Sequence, residues 1–290
     1  MSEPLPSTIW DNHRLDWGQQ THIMGIINVT SNSFSGDGLL QATLSQDAIM
    51  QQALQQAQSF VSAGASIVDV GGESTRPGAE PVSIEQELVR VIPVIKALHT
   101  ALPGDIIISI DTYKAEVARQ ALAAGASLIN DIWALRADPQ MAALVCEQQV
   151  PVVLMANMRG FHKRDIVSDV VRFLAGSIDL ALAAGVPWEH LIIDPGIGFG
   201  TTPAENLTLL RRLGELRALG RPILVGTSRK SIIGRVLGGL AAHERIEGTA
   251  ATVALAIAQG ADIVRVHDVH TMARVVKMSD AVVRAASWTD

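Results

Sequence analysis

One cassette recurs along this chain and restricts what it can fold into: a helix stop, a short apolar run, then a polar or Gly-rich loop. Ser62-Ala63-Gly64-Ala65 closes an amphipathic stretch and Ser66-Ile67-Val68 follows. Asp69-Val70-Gly71-Gly72-Glu73-Ser74-Thr75-Arg76-Pro77-Gly78 then opens a loop. Gly64 suits the left-handed position after a helix, and apolar residues without alternation suit a parallel strand buried on both faces. The pattern returns from Ala124 to Asp131, from Gly185 to Asp194 and from Gly260 to His267, and each repeat ends in charged or amide side chains.

Laid end to end, the cassettes predict strands over 22–28, 66–69, 106–111, 127–130, 151–155, 191–194, 222–226 and 262–266. Helices are expected over 45–63, 83–100, 114–124, 166–184, 247–259 and 271–286, with further helical segments around Asn206 and from Ser231; none is assigned between 131 and 150. Ser83 with Gln86 forms a capping box for the second of them. Eight βα units in about 270 residues match a TIM (β/α)8 barrel better than a doubly wound sheet. No Pro/Ser-rich linker divides the series, so residues 23–290 read as one domain. Residues 1–22, with Trp10 and Trp17, read as an N-terminal extension forming a short hairpin or plug.

Composition narrows the partners. A chain of 290 residues, 48% of them hydrophobic, buries a full core. A net charge of -6 argues against a nucleic-acid surface. The apolar runs fall short of the ~18 residues of a membrane span. One cysteine, Cys146, and no leader-like opening favour a cytoplasmic setting.

In a TIM barrel the C-terminal strand ends converge on one face. Here they carry Asn28, Asp69, Thr75, Arg76, Asp111, Asn130, Asp194, Lys230, Arg265 and His267. Asp194 opens Pro195-Gly196-Ile197-Gly198-Phe199-Gly200; a carboxylate there can accept two hydrogen bonds from an amidine-like ring edge, as on a pterin or guanine, or can simply cap the next helix. Asp111 and Asn130 would extend that polar edge. Ser228-Arg229-Lys230-Ser231 starts a helical segment after a strand, where N–H groups, hydroxyls and two cations can meet an anion, and Lys230 can instead donate to a ring carbonyl. Arg265 and His267 alternate along a strand and point the same way; with Arg76 and Asn28 they suit a phosphate site. Asn28 is also a candidate Mg2+ ligand together with substrate phosphate oxygens, its alternative being a backbone bridge. His22, His190 and His270 lack metal spacing, and Arg159, Asp165 and Asp169 are expected on a solvated face.

Six stretches together resemble dihydropteroate synthase, from Ile23 to Val282: Met24 to Thr30, Asp69 to Gly78, Ile110 to Lys114, Asp194 to Gly200, Ser228 to Ser231 and Arg265 to Asp268. The resemblance implies a TIM barrel, usually a homodimer, that joins 6-hydroxymethyl-7,8-dihydropterin pyrophosphate to 4-aminobenzoate, with Mg2+, and that sulfonamides inhibit. It implies that Asp111, Asn130, Asp194 and Lys230 hold the pterin, with Met155 and Phe199 packing near the ring. Asn28, Arg76, Arg265 and His267 would hold the pyrophosphate, and Phe34, Thr75, Pro77 and Ser231 the aminobenzoate. Lys230, Asp111, Arg265 and His267 would carry a dissociative reaction. Three departures stand out. Ser31-Asn32 replaces Pro-Asp in the first loop, Gly36-Asp37-Gly38 replaces Asp-Gly-Gly, and Leu154-Met155-Ala156-Asn157-Met158 lacks the histidine usual after the fifth strand. A pterin-dependent methyltransferase and a non-catalytic pterin-binding paralogue remain the alternatives at this level.

Overall fold

The computed structural model of the chain describes residues 5–30, 45–74 and 80–284. Ser31, Asn32, Phe34, Gly36, Asp37, Gly38, Thr75, Arg76, Pro77 and Gly78 lie outside the described residues.

A hairpin comes first, β1 (Thr8–Trp10) antiparallel to β2 (His13–Leu15). It buries Trp10, Leu15 and the following Trp17. Trp10 Nε1 donates to Ser127 O at 2.8 Å and Thr8 Oγ1 to Glu189 O at 2.6 Å, both on residues that precede strands. The hairpin therefore plugs the barrel at the end opposite the strand C-termini, as the tryptophan-rich extension led one to expect.

Eight parallel strands follow: β3 (His22–Asn28), β4 (Ile67–Gly71), β5 (Ile107–Asp111), β6 (Leu128–Asp131), β7 (Val152–Met155), β8 (Leu191–Asp194), β9 (Leu224–Val225) and β10 (Ile263–Val266). They pair in chain order from β3 to β8, and β10 lies between β9 and β3. Ile193 of β8 bridges to Ile223, beside β9, and its N–H donates to Pro222 O at 2.9 Å, which closes the ring. The β9 strand is only two residues long, against the five expected, because Pro222 has no N–H to give and Gly226 already turns toward the next loop.

Nine α-helices are described: α1 (Gln46–Ser62), α2 (Ile84–Ala101), α3 (Ala115–Ala123), α4 (Met141–Gln148), α5 (Ile166–Ala183), α6 (Pro203–Arg211), α7 (Ser231–Val236), α8 (Ile246–Ala258) and α9 (Val269–Val283). The Ser83–Gln86 capping box is present at α2, and a second box, Thr202 with Glu205, starts α6 just before Pro203. The sequence reading has no counterpart for α4. It has eight residues and no side-chain cap bond, and it stops where Gln149 turns left-handed at φ 52°. One apolar core runs from Trp10 to Val276 and includes both the hairpin and the barrel.

Strand register sets the site. Asn28 lies opposite Gly71, Gly71 opposite Asp111, and Asp111 opposite Asn130. Three polar side chains on three strands thus reach one level at the top of the barrel, with Gly71 as the gap between them. Asp69 and Ser109 pair one layer lower, and Arg265 starts level with Met24, lower again.

Candidate active site

A cavity of about 700 Å³ opens at the C-terminal end of the strands. Its wall is built on β3, β5, β6, β7, β8 and β10 and on the loops that follow β8 and β9.

Polar groups inside the barrel mouth converge on Asp69, which has no exposed surface. Its carboxylate accepts from Ser109 Oγ at 2.6 Å, from Asn130 Nδ2 at 3.2 Å and from Arg265 Nε at 2.6 Å. Arg265 Nη2 donates onward to Asp111 at 2.6 Å. The long Arg265 side chain rises from a lower layer, is clamped by two carboxylates and lines the cavity. Burial pushes Asp111 up to about 7; Arg265 pulls it back and Asp69 adds like-charge repulsion. The same two carboxylates outweigh burial at Arg265 and raise it.

The second acidic group is Asp194. Burial raises it, and Lys230 opposes that shift. Gly196 N–H donates to Asp194 Oδ1 at 2.7 Å, so the other carboxylate oxygen is the one available to a ligand. Lys230 Nζ donates to Ile197 O and sits 4.9 Å from the centre of the Phe199 ring. Burial lowers Lys230 to about 8, with Asp194 working the other way. The turn from Asp194 to Gly200 needs its glycines. Gly196 has φ 70°, and a Cβ there would fall 1.9 Å from Ala156 O; at Gly200, φ 72°, it would fall 2.3 Å from Arg159 N. Asn206 Oδ1 accepts from Gly198 N–H and from Thr201 Oγ1, both at 2.7 Å, and ties the turn to α6.

The loops after β9 and β10 are joined rung by rung. Ser228 Oγ lies 3.1 Å from His267 N and 3.0 Å from His267 Nδ1. Arg229, left-handed at φ 57°, donates through Nε to Asp268 at 2.9 Å and through Nη2 at 2.5 Å. Elsewhere at the rim, Lys114 Nζ donates to Glu73, to Glu87 at 2.5 Å and to Val82 O at 2.7 Å, pinning the chain that leaves β4 to the loop that leaves β5.

This geometry can be compared with known proteins. A family model described as "Pterin binding enzyme" matches residues 24–267. The dihydropteroate synthase of Synechocystis is 47% identical over 277 residues, covering 93% of this chain and 92% of that protein. The crystal structure of the Clostridium difficile dihydropteroate synthase, solved in the presence of pteroic acid, has a TM-score of 0.86 at 46% identity, over 93% of this chain and 99% of the other. The Xanthomonas albilineans enzyme in complex with 7,8-dihydropteroate has a TM-score of 0.80 at 38% identity, over 93% and 95%. The chain belongs to the dihydropteroate synthase family of pterin-binding enzymes.

Within this pterin-binding enzyme, Asn28, Asp111, Asn130, Met155, Asp194, Phe199, Lys230, Ser231, Arg265 and His267 all line the one cavity, as expected. Phe34, Thr75, Arg76 and Pro77 lie outside the described residues. Arg159 is a correction: expected on a solvated face, it lines the cavity, with its guanidinium 5.1 Å from the centre of the Phe199 ring. Arg side chains stack readily on aromatic faces, and nothing in the local sequence tells a stacked Arg from a solvated one. Asp165 and Asp169 do stay near the surface, Asp165 as the cap of α5 and Asp169 paired with Arg172. Asn157, in the stretch that lacks the histidine expected from the resemblance, is fully buried and is not part of the cavity wall. Its Oδ1 accepts from Arg159 N–H at 3.4 Å, so that departure concerns the turn behind the site. Asp69 was visible as a strand-end residue, but its bracing of Arg265, Asn130 and Ser109 depends on register, which a single sequence does not show.

Proposed function

We propose that this chain joins 6-hydroxymethyl-7,8-dihydropterin pyrophosphate to 4-aminobenzoate, giving 7,8-dihydropteroate and pyrophosphate. One observation carries the reading: a single cavity holds the half-buried Asp111 and buried Asp194 with Lys230 beside Asn28, Arg265 and His267. A ring edge rich in N–H donors and a leaving group rich in anionic oxygen need these opposite chemistries within one molecule's length. Pteroic acid with the Clostridium difficile relative and 7,8-dihydropteroate on the Xanthomonas albilineans relative support it.

In this reading Asp194, Asp111 and Asn130 meet the pterin N–H groups, Lys230 donates to the ring carbonyl, and Met155 and Phe199 pack on the ring. Asn28, Arg265 and His267, with Arg76, hold the pyrophosphate; Ser231, with Phe34, Thr75 and Pro77, holds the aminobenzoate. The bond from the pterin methylene to pyrophosphate breaks first. The amine nitrogen of 4-aminobenzoate then donates its lone pair to the resulting cation and loses a proton. Lys230, Asp111, Arg265 and His267 act through fixed charge and exclusion of water more than through a strong base. The clamp on Arg265 serves this step because its charge is already oriented before the leaving group develops its own.

Among the described residues no group of three or more His, Cys, Asp or Glu side chains could hold a metal ion. Asn28 offers a neutral amide oxygen on the cavity wall. That donor fits a Mg2+ ion carried mainly by pyrophosphate oxygens, which when bound would neutralise charge on the leaving group.

Residues 23–290 are read as one catalytic domain and residues 1–22 as an extension, whose Trp10, Leu15 and Trp17 pack on the same core. Among the described residues no helix is long and apolar enough to cross a membrane, and the single Cys146 suits a cytoplasmic enzyme. A homodimer is supported by Val236 on α7, Leu255 on α8, and Met278 and Val282 on α9, each 60 to 71% exposed on helices that pack side by side. The reading is tested with purified chain, Mg2+ and both substrates, omitting each in turn. Dihydropteroate should form only in the complete mixture, and a sulfonamide should suppress it; no product from the complete mixture would contradict the assignment.

A further inference from the structure

The hydroxyl of Ser228 meets two nitrogens of one residue. His267 N–H donates to Ser228 Oγ at 3.1 Å, and His267 Nδ1 lies 3.0 Å from the same oxygen. Ser228 is 6% exposed, and among the described residues its hydroxyl has no other hydrogen-bond partner. The backbone N–H has no choice but to donate, so the oxygen accepts there. Its own proton then has one acceptor within reach, Nδ1. If Nδ1 carried the proton instead, the hydroxyl would accept twice and its buried O–H would have no acceptor, which costs more than the bond gains.

We propose that Ser228 is a positioning residue that fixes the tautomer of His267, leaving Nδ1 bare and the proton on Nε2. A neutral ring in this form offers a hydrogen-bond donor without a full charge, which suits an anion already met by Arg265 and lets the anion leave. The second rung keeps the arrangement in register: Arg229 holds Asp268, the neighbour of His267, through two hydrogen bonds from its side chain. The left-handed Arg229 backbone is held by its N–H donating to Thr249 Oγ1 at 3.2 Å and by its carbonyl accepting from Arg245 Nη1 at 2.7 Å. The loop bearing Lys230 is thus tied to the strand end bearing His267 by side-chain contacts at both Ser228 and Arg229. The consequence for binding rests on the pyrophosphate reading of His267; the tautomer does not.

Long-range 1H–15N spectra of the ring nitrogens test it on the intact, ligand-free protein at about pH 8.5, above the ordinary histidine range. The His267→Gln variant identifies the signal. Expected is a bare Nδ1 and a protonated Nε2 in the wild type, with a mixed population in Ser228→Ala. Calorimetry should then show Ser228→Ala binding pyrophosphate about tenfold more weakly, while 6-hydroxymethylpterin binds within about twofold of wild type; a merely structural role would weaken both. A protonated Nδ1 in the wild type would overturn the proposal, as would an unchanged tautomer in Ser228→Ala. The expected tautomer in a wild-type protein that does not bind pyrophosphate would overturn the pyrophosphate reading and leave the tautomer assignment standing.

Discussion

In the proposed reading Asp111 accepts from a pterin N–H most strongly as the carboxylate, and burial pushes it up to about 7. Lys230 must be protonated to donate to the ring carbonyl, and burial holds it near 8. The signs are opposite. As pH rises through about 7 the acceptor appears, and as it rises through about 8 the donor is lost. The second-order rate constant for the pterin substrate should therefore follow a bell with its maximum between those limbs, which report the coupled set and not single residues. Lys230→Arg should remove the alkaline limb, because guanidinium keeps its proton throughout that range. A profile in which that limb is unchanged would exclude Lys230 as its source. At this scale the sequence showed which side chains stand at strand ends but not what they pair with. Arg159, Ser228 and Arg229 each read as ordinary surface or anion-contact residues. Their partners, Phe199, His267 and Asp268, lie about 40 positions away in the chain, beyond any local pattern.

Loops rather than strands differ most in how tightly they are specified. The turn from Asp194 to Gly200 is crossed by the backbone of residues 156–159: Ala156 N–H donates to Asp194 O at 2.9 Å and Met158 N–H to Phe199 O at 3.1 Å. Gly196→Ala places a methyl against Ala156 O with the backbone already left-handed. It should cost about 2 kcal/mol or more of stability in denaturant unfolding and pull Asp194 out of place. Unchanged stability together with unchanged pterin affinity would show that the turn is not the constraint described here. At the other rim, Lys114→Met strands Glu73 and Glu87, which are 11% and 1% exposed, and should destabilise by about 3 kcal/mol. A double variant that also carries Glu87→Gln should recover part of it, since one uncompensated charge is removed; equilibrium unfolding checks both. The helix with a recognised chemical start signal, at Ser83, was legible, whereas the equivalent signal at Thr202 emerged only with the structure. The α4 helix was not legible, because Gln140 precedes its first residue with no side-chain cap bond and its formation is set by the barrel it covers.

For the whole molecule, eight apolar runs alternating with helices, four of them in the helix-stop, buried-run and polar-loop cassette, made the barrel readable from the sequence, since few architectures bury that many parallel strands. Which residues close the ring, Ile193 with Ile223, was not readable, because register between strands is not visible in a single sequence. If the apolar faces of α7, α8 and α9 meet a second copy, Met278→Glu with Val282→Glu should shift sedimentation from dimer to monomer while leaving the fold intact. A wild-type monomer would remove the dimer from the account. The central claim is that one cavity grips the pterin by its buried carboxylates, and calorimetric titration of 6-hydroxymethylpterin into wild-type and Asp194→Ala protein tests it most directly. Loss of the carboxylate leaves ring donors unpaired, so the affinity should fall by a factor of about 100 or more while the variant keeps its unfolding transition. Near-equal affinity in the two proteins would contradict the account.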